Sequence, residues 1–586
     1  MPDCTTYTAP KRGFSMLGQD PAVNDGSVVT QLSVGQLEAF FVLRVVKAGG
    51  NANVTVSSAS ATADTTPPAV NQAPVFVTPD SAAGTAGTAS TIEVDVAVPV
   101  EVDGVSAVAG QPYAAVDSPY AMRPHPSNWL WFDLNGDVRY LSGDQNMREL
   151  TSWAFRNAAL PSIYSEGELE LFFQALIARG WNHNRLWAVH STGAAELFGT
   201  KNNAVPMPWV RSGGGTALDG EQRFDLTQLN QTYFDQLRYI VQTGHSYGLS
   251  FGIMLFDSED FRGDPPTDAY SFVKGTPFWG PNNNNGIDIA DPSDTGGWTG
   301  FFGSPTQAVI DIQRAYVAKV IDTLNDLPNY YYELSNETYA PTWKASLATY
   351  IRNYQSGKAL QHMIMDSAGG RSVNHTWVDE TPAQTMSQDL FAGGYGWRNE
   401  PSVGGNYRTD PPLITDYATK PGIADTDHIE AYLYPQSRTT SWRNGCRGHH
   451  YTMYETRNPD TVSQDWQEFF NPSLYPDQDS ARHSAGKFAQ YMNTRFSNLV
   501  NVYPDNTLAS TGYCVAESGK EYLIFCPTTA NLTVYSLVNS ATYEYEFYNT
   551  STNVVTTAGN QFVASGTSHV LTVPYTNAGC FIKRIS

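Results

Sequence analysis

Between residues 125 and 500 the hydrophobic positions alternate between two periods. Short apolar runs occur at "VRYLSG", "NRLWAV", "SFGIMLF", "NYYYELSNE", "QHMIMDS", "QDLFAGG", "GIADTDH" and "HYTMYE". Each has the length and composition of a buried strand. Between them lie stretches with apolar residues every three or four positions. In "SEGELELFFQALIARG", Leu169, Phe172, Phe173, Leu176 and Ile177 form one face, Ser165 and Glu168 make a capping box, and Gly180 ends the helix. In "AVIDIQRAYVAKVIDTLNDLP" the face comprises Val309, Ile312, Tyr316, Val317, Val320, Ile321 and Leu324, and in "TWKASLATYIRNY" it comprises Trp343, Leu347, Tyr350, Ile351 and Tyr354. A further helix is expected near "ARHSAGKFAQYMNTRF". Eight strands alternating with helices predict a (β/α)8 TIM barrel over 125–500.

The flanks follow the two-residue period of half-buried strands. Residues 505–586 contain "KEYLIFC", "ANLTVYSL", "YEYEFYN" and "SHVLTVPY", which predicts a C-terminal β-sandwich. The first 120 residues hold runs such as "NANVTVSSAS" and "STIEVDVAVPVEV" on either side of the Pro-rich "DTTPPAVNQAP". That break predicts an N-terminal β-module at 1–66 and a second small one at 75–120. The fold class is therefore multidomain. In "WLWFDLNGDVRYL" an Asn-Gly turn predicts a β-hairpin in preference to a calcium loop.

Composition narrows the partners. The 586-residue chain has 57 acidic and 35 basic residues, a net charge of −22, which argues against nucleic acid, whose phosphates need a basic surface. No apolar run reaches the roughly 20 residues of a membrane helix, so membrane insertion is not expected. The opening "MPDCTTYTAPKRGF" lacks the apolar centre of a secretory leader. The five cysteines cannot all pair with one another, and their spacing does not resemble a zinc site.

Barrel enzymes carry their chemistry at the carboxyl ends of the strands. Those positions hold Asp144, Arg185, Trp187, His190, Asp257, Asn336, Glu337, Asp366, Asp425, Asp427, His428, Tyr434 and Glu455. So many carboxylates point to glycoside hydrolysis, which needs a protonated acid and an ionised nucleophile or base, and neither metal nor organic cofactor. Glu337 is the expected acid, because the preceding Asn336 can hold a neighbouring sugar hydroxyl. Its partner is expected across the barrel, as Asp425 or Asp427 in "IADTDH" or as Glu455 in "HYTMYE". Arg185 is placed either to keep a carboxylate ionised or to form an interior ion pair. His190 and His428 join the expected substrate contacts. Sugar faces stack on aromatic rings, and Trp187, Trp279, Trp397, Trp442 and Tyr434 fall in strand ends or the following loops. "NNNNG" is either a loop reaching into the site or a turn.

From about residue 128 onward the chain resembles the cellulase-family, clan-A-like glycoside hydrolases that carry a C-terminal β-domain of collagen-binding type. The resemblance lies in "FDLNGDVRYLSG", "GTPFWGPNNNNGID", "VIDTLNDLPNYYYELSNET", "IADTDHIEAYLYP", "WRNGCRGHHYTMYE" and "PDNTLASTGYCVAESGKEYLIFCP". It implies a retaining β-type glycosidase with Glu337 as acid/base, acting on a poly- or oligosaccharide. Where clan-A enzymes usually carry Glu at the end of the seventh strand, this chain has Asp425 and Asp427. An Asp there, one methylene shorter, favours inversion through a water, whereas Glu455 favours retention. The alternative is a structural or adhesive assembly protein, such as a virion tail or surface-fibre component, with a barrel that binds or depolymerises glycan. An extracellular, cell-surface or virion setting, with assembly as a homo-oligomer through the N-terminal modules, would suit either reading.

Overall fold

The structure, a computed structural model, describes residues 118–144, 152–155, 166–186, 188, 190–191, 202–261, 272–290, 297–336, 338, 340–367, 371–373, 376–378, 390–393, 410–416, 418–425, 434–453 and 476–586, with short strands inside 1–109. Residues 1–109 and 110–586 form two compact units. In the first, Phe41–Lys47 pairs antiparallel with Ser90–Val96, so the stretches on either side of the Pro-rich segment are joined by one ladder.

In the second unit, eight parallel strands close into a barrel. They are β1 (Ser142–Asp144), β2 (His183–Leu186), β3 (Ser250–Met254), β4 (Tyr330–Glu333), β5 (Ile364–Ser367), β6 (Leu390–Gly393), β7 (Gly422–Asp425) and β8 (His450–Met453). Each predicted apolar run supplies one strand, and β8 returns to pair with β1 through Ser142 and Tyr451. The described helices are α1 (Glu166–Ala178), α2 (Gln231–Ser246), α3 (Gln307–Leu324), α4 (Pro341–Gln355), α5 (Tyr434–Cys446) and α6 (Pro476–Gln490).

Local chemistry explains the boundaries. The Asn230 side chain accepts the Thr232 N–H at the start of α2, and the Thr306 hydroxyl accepts that of Val309 at the start of α3. On α3 the inward face includes Gln313, which was not expected there. Its Nε2 donates to the Phe301 carbonyl and its Oε1 accepts the Trp343 indole N–H, so a buried amide is satisfied at both ends.

The amino-terminal mouth of the barrel is plugged. Asn128–Leu134 and Asp137–Arg139 form the expected hairpin, turning at Asn135 (φ 54°) and Gly136 (φ 83°). Phe132 and Leu134 pack with Leu141, Tyr331, Met363, Met365 and Ile423 in one buried cluster. Above them Tyr331 lies over Gly252, where a Cβ would stand 2.6 Å from the phenolic oxygen. His450 fastens the plug. Its Nδ1 accepts the Leu141 N–H at 2.8 Å, and its Nε2 donates to the Leu130 carbonyl at 2.8 Å.

The C-terminal segment is a six-stranded antiparallel sheet, faced by a two-stranded sheet of Leu532–Tyr535 and Ser568–Leu571. Cys514, Cys526 and Cys580 lie in the core between these sheets, and they and Cys446 are free, buried thiols. The other side of the large sheet rests on α5 and α6, so that Tyr513, Leu523, Tyr548 and Phe581 share one core with the barrel. Trp442 is the centre of this contact. Its ring stacks on Tyr548 at 5.5 Å, meets Phe488 and Tyr491 edge-on, and covers Gly579.

Two outcomes follow from this packing. Trp442→Ala should lower unfolding free energy by about 3–5 kcal/mol, the usual cost of emptying a large aromatic site, as read from denaturant melts. The second concerns acid. Burial lowers the pKa of His450 and His183 to about 3 and that of His362 and His449 to about 4, from ordinary values near 6.5. The unfolded chain therefore takes up protons below about pH 6.5 that the native chain refuses. Stability is full above that pH and is lost as pH falls toward the native values, by up to ~1.4 kcal/mol per pH unit per histidine. Tm should drop between pH 7 and 5; a flat or rising profile would contradict the assignment.

Candidate active site

The carboxyl end of the barrel is organised by one cation. Arg185, on β2, points into the barrel and is almost fully buried. Its Nε donates to Glu333 Oε2 at 2.7 Å and its Nη2 to Glu333 Oε1 at 2.5 Å, a two-pronged bond to the last residue of β4. The same Nη2 donates to Asn336 Oδ1 at 3.1 Å.

Asn336 is held from the other side too. Beyond the regular strands β3 and β4 continue as a parallel bridge between Asp257 and Asn336. The Asn336 N–H donates to the Phe256 carbonyl at 3.0 Å, and the Asn336 carbonyl accepts the Ser258 N–H at 3.2 Å. The Asn336 Nδ2 donates to Asp257 Oδ1 at 3.3 Å, which leaves its second hydrogen for another acceptor. Main chain and side chain thus fix the residue immediately before Glu337.

Glu337 itself, with Asp427, Glu455, Trp187, Trp397 and His428, lies outside the described residues; for Asp425 and Tyr434 only the backbone is described. Asp425 closes β7, opposite Thr452 of β8 and two residues beyond Ile423, which packs in the interior. Of the two roles open to Arg185, the structure gives an interior ion pair. Glu333 is the residue that sequence reasoning missed. The signal was present: a charge in an apolar strand, two residues beyond inward-facing Tyr331, with Arg185 two residues beyond His183, whose Nε2 lies 3.1 Å from the Tyr331 hydroxyl.

Other expected contacts are placed elsewhere. Trp442 is not a sugar platform, because it sits on α5 in the core shared with the sandwich, on the outer side of the barrel. Tyr434 begins the same helix. Asp366 faces the helical layer and pairs with Lys344 of α4 at 2.8 Å. His190 is fully buried, its ring between Trp209, Phe256 and Tyr316, and burial lowers its pKa to about 3. Trp279 is half-buried against the core in the loop after β3.

"NNNNG" is a turn. Asn283 Nδ2 donates to the carbonyls of Pro277, Trp279 and Ile287, and its Oδ1 accepts the N–H groups of Asn285 and Ile287. Asn282 and Asn285 reach the hairpin Trp209–Thr216/Gln222–Leu229: Asn282 Oδ1 accepts the Leu218 N–H at its turn, and Asn285 accepts from Leu226 and donates to Asp225. These amides staple two insertions together above the barrel.

No family model matches the chain, and no curated protein matches it in sequence. Solved structures do. A glycoside hydrolase family 5 structure from Bacteroides vulgatus ATCC 8482 superposes with a TM-score of 0.50 at 12% identity, over 80% of this chain and 95% of that one. The two chains share the (β/α)8 fold. Another, described as a glycoside hydrolase, covers 81% of this chain and 99% of its own at 13% identity, with a TM-score of 0.49.

The Arg185–Glu333 pair makes a testable statement. Glu333→Gln alone should destabilise the protein by about 3–5 kcal/mol, because it leaves a buried guanidinium uncompensated. Arg185→Met with Glu333→Leu should recover much of that loss in chemical denaturation; additive losses would show that the two charges act independently.

Proposed function

We propose that this chain is a glycoside hydrolase in which Glu337 protonates the leaving glycosidic oxygen and a carboxylate of β7 or β8 acts as nucleophile or base. The observation that carries the reading is the fixing of Asn336 at the carboxyl end of β4 by Arg185 and Asp257. An acid on the next residue would inherit that anchoring, and a fixed Asn can hold a sugar hydroxyl while its neighbour delivers the proton. The fold likeness to a family 5 glycoside hydrolase supports the same chemistry, with a poly- or oligosaccharide as substrate.

The partner is Asp425 or Asp427 in preference to Glu455, since β7 ends there. Retaining enzymes keep their carboxyl groups roughly 5–5.5 Å apart, and inverting ones about 6.5–9.5 Å, to admit a water. The shorter Asp lengthens the gap, so inversion is the expected outcome.

Release of reducing ends from a polysaccharide panel should fall about 10²–10⁴-fold in Glu337→Gln. Proton NMR of the first-formed anomer should then show inversion, lost in Asp425→Asn with Asp427→Asn. Undiminished hydrolysis in Glu337→Gln would overturn the reading. A retained anomer abolished by Glu455→Gln would move the partner to β8.

A further inference from the structure

The C-terminal sandwich carries a surface unlike the rest of the molecule. Charged residues make up 16% of the chain, yet residues 522–543 and 547–582 contain no Asp, Glu, Lys or Arg. Those stretches supply both strands of the small sheet, Leu532–Tyr535 and Ser568–Leu571, and the edge strand Val554–Val563 of the large one. On a chain with a net charge of −22, this is the part that a neutral partner can cover without stripping water from ions.

The two-residue period sorts the small sheet into two faces. Leu532, Val534 and Leu571 lie in the sandwich core, and His569 stacks on Phe562 at 3.9 Å. Thr533, Tyr535, Ser568 and Val570 therefore point outward, away from the barrel, which shares its core with the far side of the large sheet. The register makes them two cross-strand pairs, Thr533 beside Val570 and Tyr535 beside Ser568. Tyr535 is 39% exposed and Val570 55%. Among the described residues the Tyr535 ring stacks on no other ring or cation, and its hydroxyl bonds no protein group. An open aromatic face beside hydroxyls and an aliphatic surface matches a sugar ring, which offers C–H groups on its face and hydroxyls at its rim.

A second copy of the chain is the other occupant to weigh, and two features oppose it. Two four-residue strands present about 130 Å² of face, against roughly 800 Å² per partner in a stable interface. The adjoining edge is interrupted as well. Val554–Val563 bulges between its pairings with Tyr545 and Phe547, and Thr557 (φ 61°) and Gly559 (φ 79°) take left-handed conformations there. A β-branched residue is strained at that angle, and the bulge keeps the edge from accepting another strand along its length.

We propose that the outer face of this small sheet is a binding site for neutral polysaccharide, with one sugar ring stacked on Tyr535, the next against Val570, and their hydroxyls on Ser568 and Thr533. The proposal rests on the catalytic reading only in that the chain meets polysaccharide. The site would hold a polymer to the molecule without taking part in its cleavage.

The test is affinity electrophoresis of the full chain in gels containing hydroxyethylcellulose, galactomannan or arabinoxylan, with polygalacturonate as the charged control. At least one neutral polymer should retard the protein, and polygalacturonate should not. Tyr535→Ala should weaken that retardation at least about tenfold in apparent Kd, the scale of losing a buried aromatic contact, whereas Tyr535→Phe should largely preserve it. Circular dichroism melts confirm that each variant is folded. Hydrolysis of a short soluble substrate should be the same in Tyr535→Ala and the parent, and Glu337→Gln should be retarded as the parent is, so the two readings fail separately. Full retardation of Tyr535→Ala, no retardation by any neutral polymer, equal retardation by polygalacturonate, or a dimer in sedimentation that Tyr535→Ala dissociates would each overturn the proposal.

Discussion

Placing an arginine and a glutamate inside a barrel exposes both to a desolvation cost of several kcal/mol per ion, repaid only if the geometry is good and the remaining polar atoms are satisfied. Arg185 and Glu333 meet both conditions with two parallel bonds and a third to Asn336. The strands that carry them are not neighbours, since β3 lies between β2 and β4. The pair therefore spans β3 and fixes the spacing of the strand ends. Asn336, and with it the start of the loop carrying Glu337, takes its position from that constraint. Replacing the charges with an apolar pair could keep the barrel closed yet lose the fixed amide.

Below this layer the barrel is filled by Tyr331, Met363, Met365 and Ile423 and sealed by Phe132 and Leu134 of the hairpin. Tyr331 over Gly252 and His450 between Leu130 and Leu141 show how little space remains. The sandwich extends the same core outward through Trp442. It is a structural buttress for α5 and α6 on the evidence of shared packing.

The eight strands were legible because buried parallel strands read as short apolar runs, and α3 and α4 because their stripes are long. The Asn-Gly hairpin was legible because its turn demands positive φ at both positions. α2 went unremarked although Tyr233, Phe234, Leu237, Ile240 and Val241 form its buried face, since the polar residues between them dilute the pattern. Trp442 was misassigned for a different reason. Sequence shows that a tryptophan follows a strand, but whether its ring meets a sugar or another domain depends on what packs over the helix. The partner of Arg185 lay in plain view in "YYYEL", yet a pair separated by 148 residues is a product of barrel closure.

The asparagine staple has a chemical lifetime. Asn285 precedes Gly286, the sequence in which a side-chain amide is most readily attacked by the following backbone nitrogen and hydrolysed to a carboxylate. In this turn the Asn285 amide is engaged at both ends, by the Leu226 N–H and the Asp225 carboxylate, which opposes the rotation that attack requires. Should deamidation occur, a donor to Asp225 would become a second negative charge facing it, and the hairpin would be pushed from the loop it fastens. The clasp would then age by repulsion, and a peptide-map mass shift at Asn285 would record it.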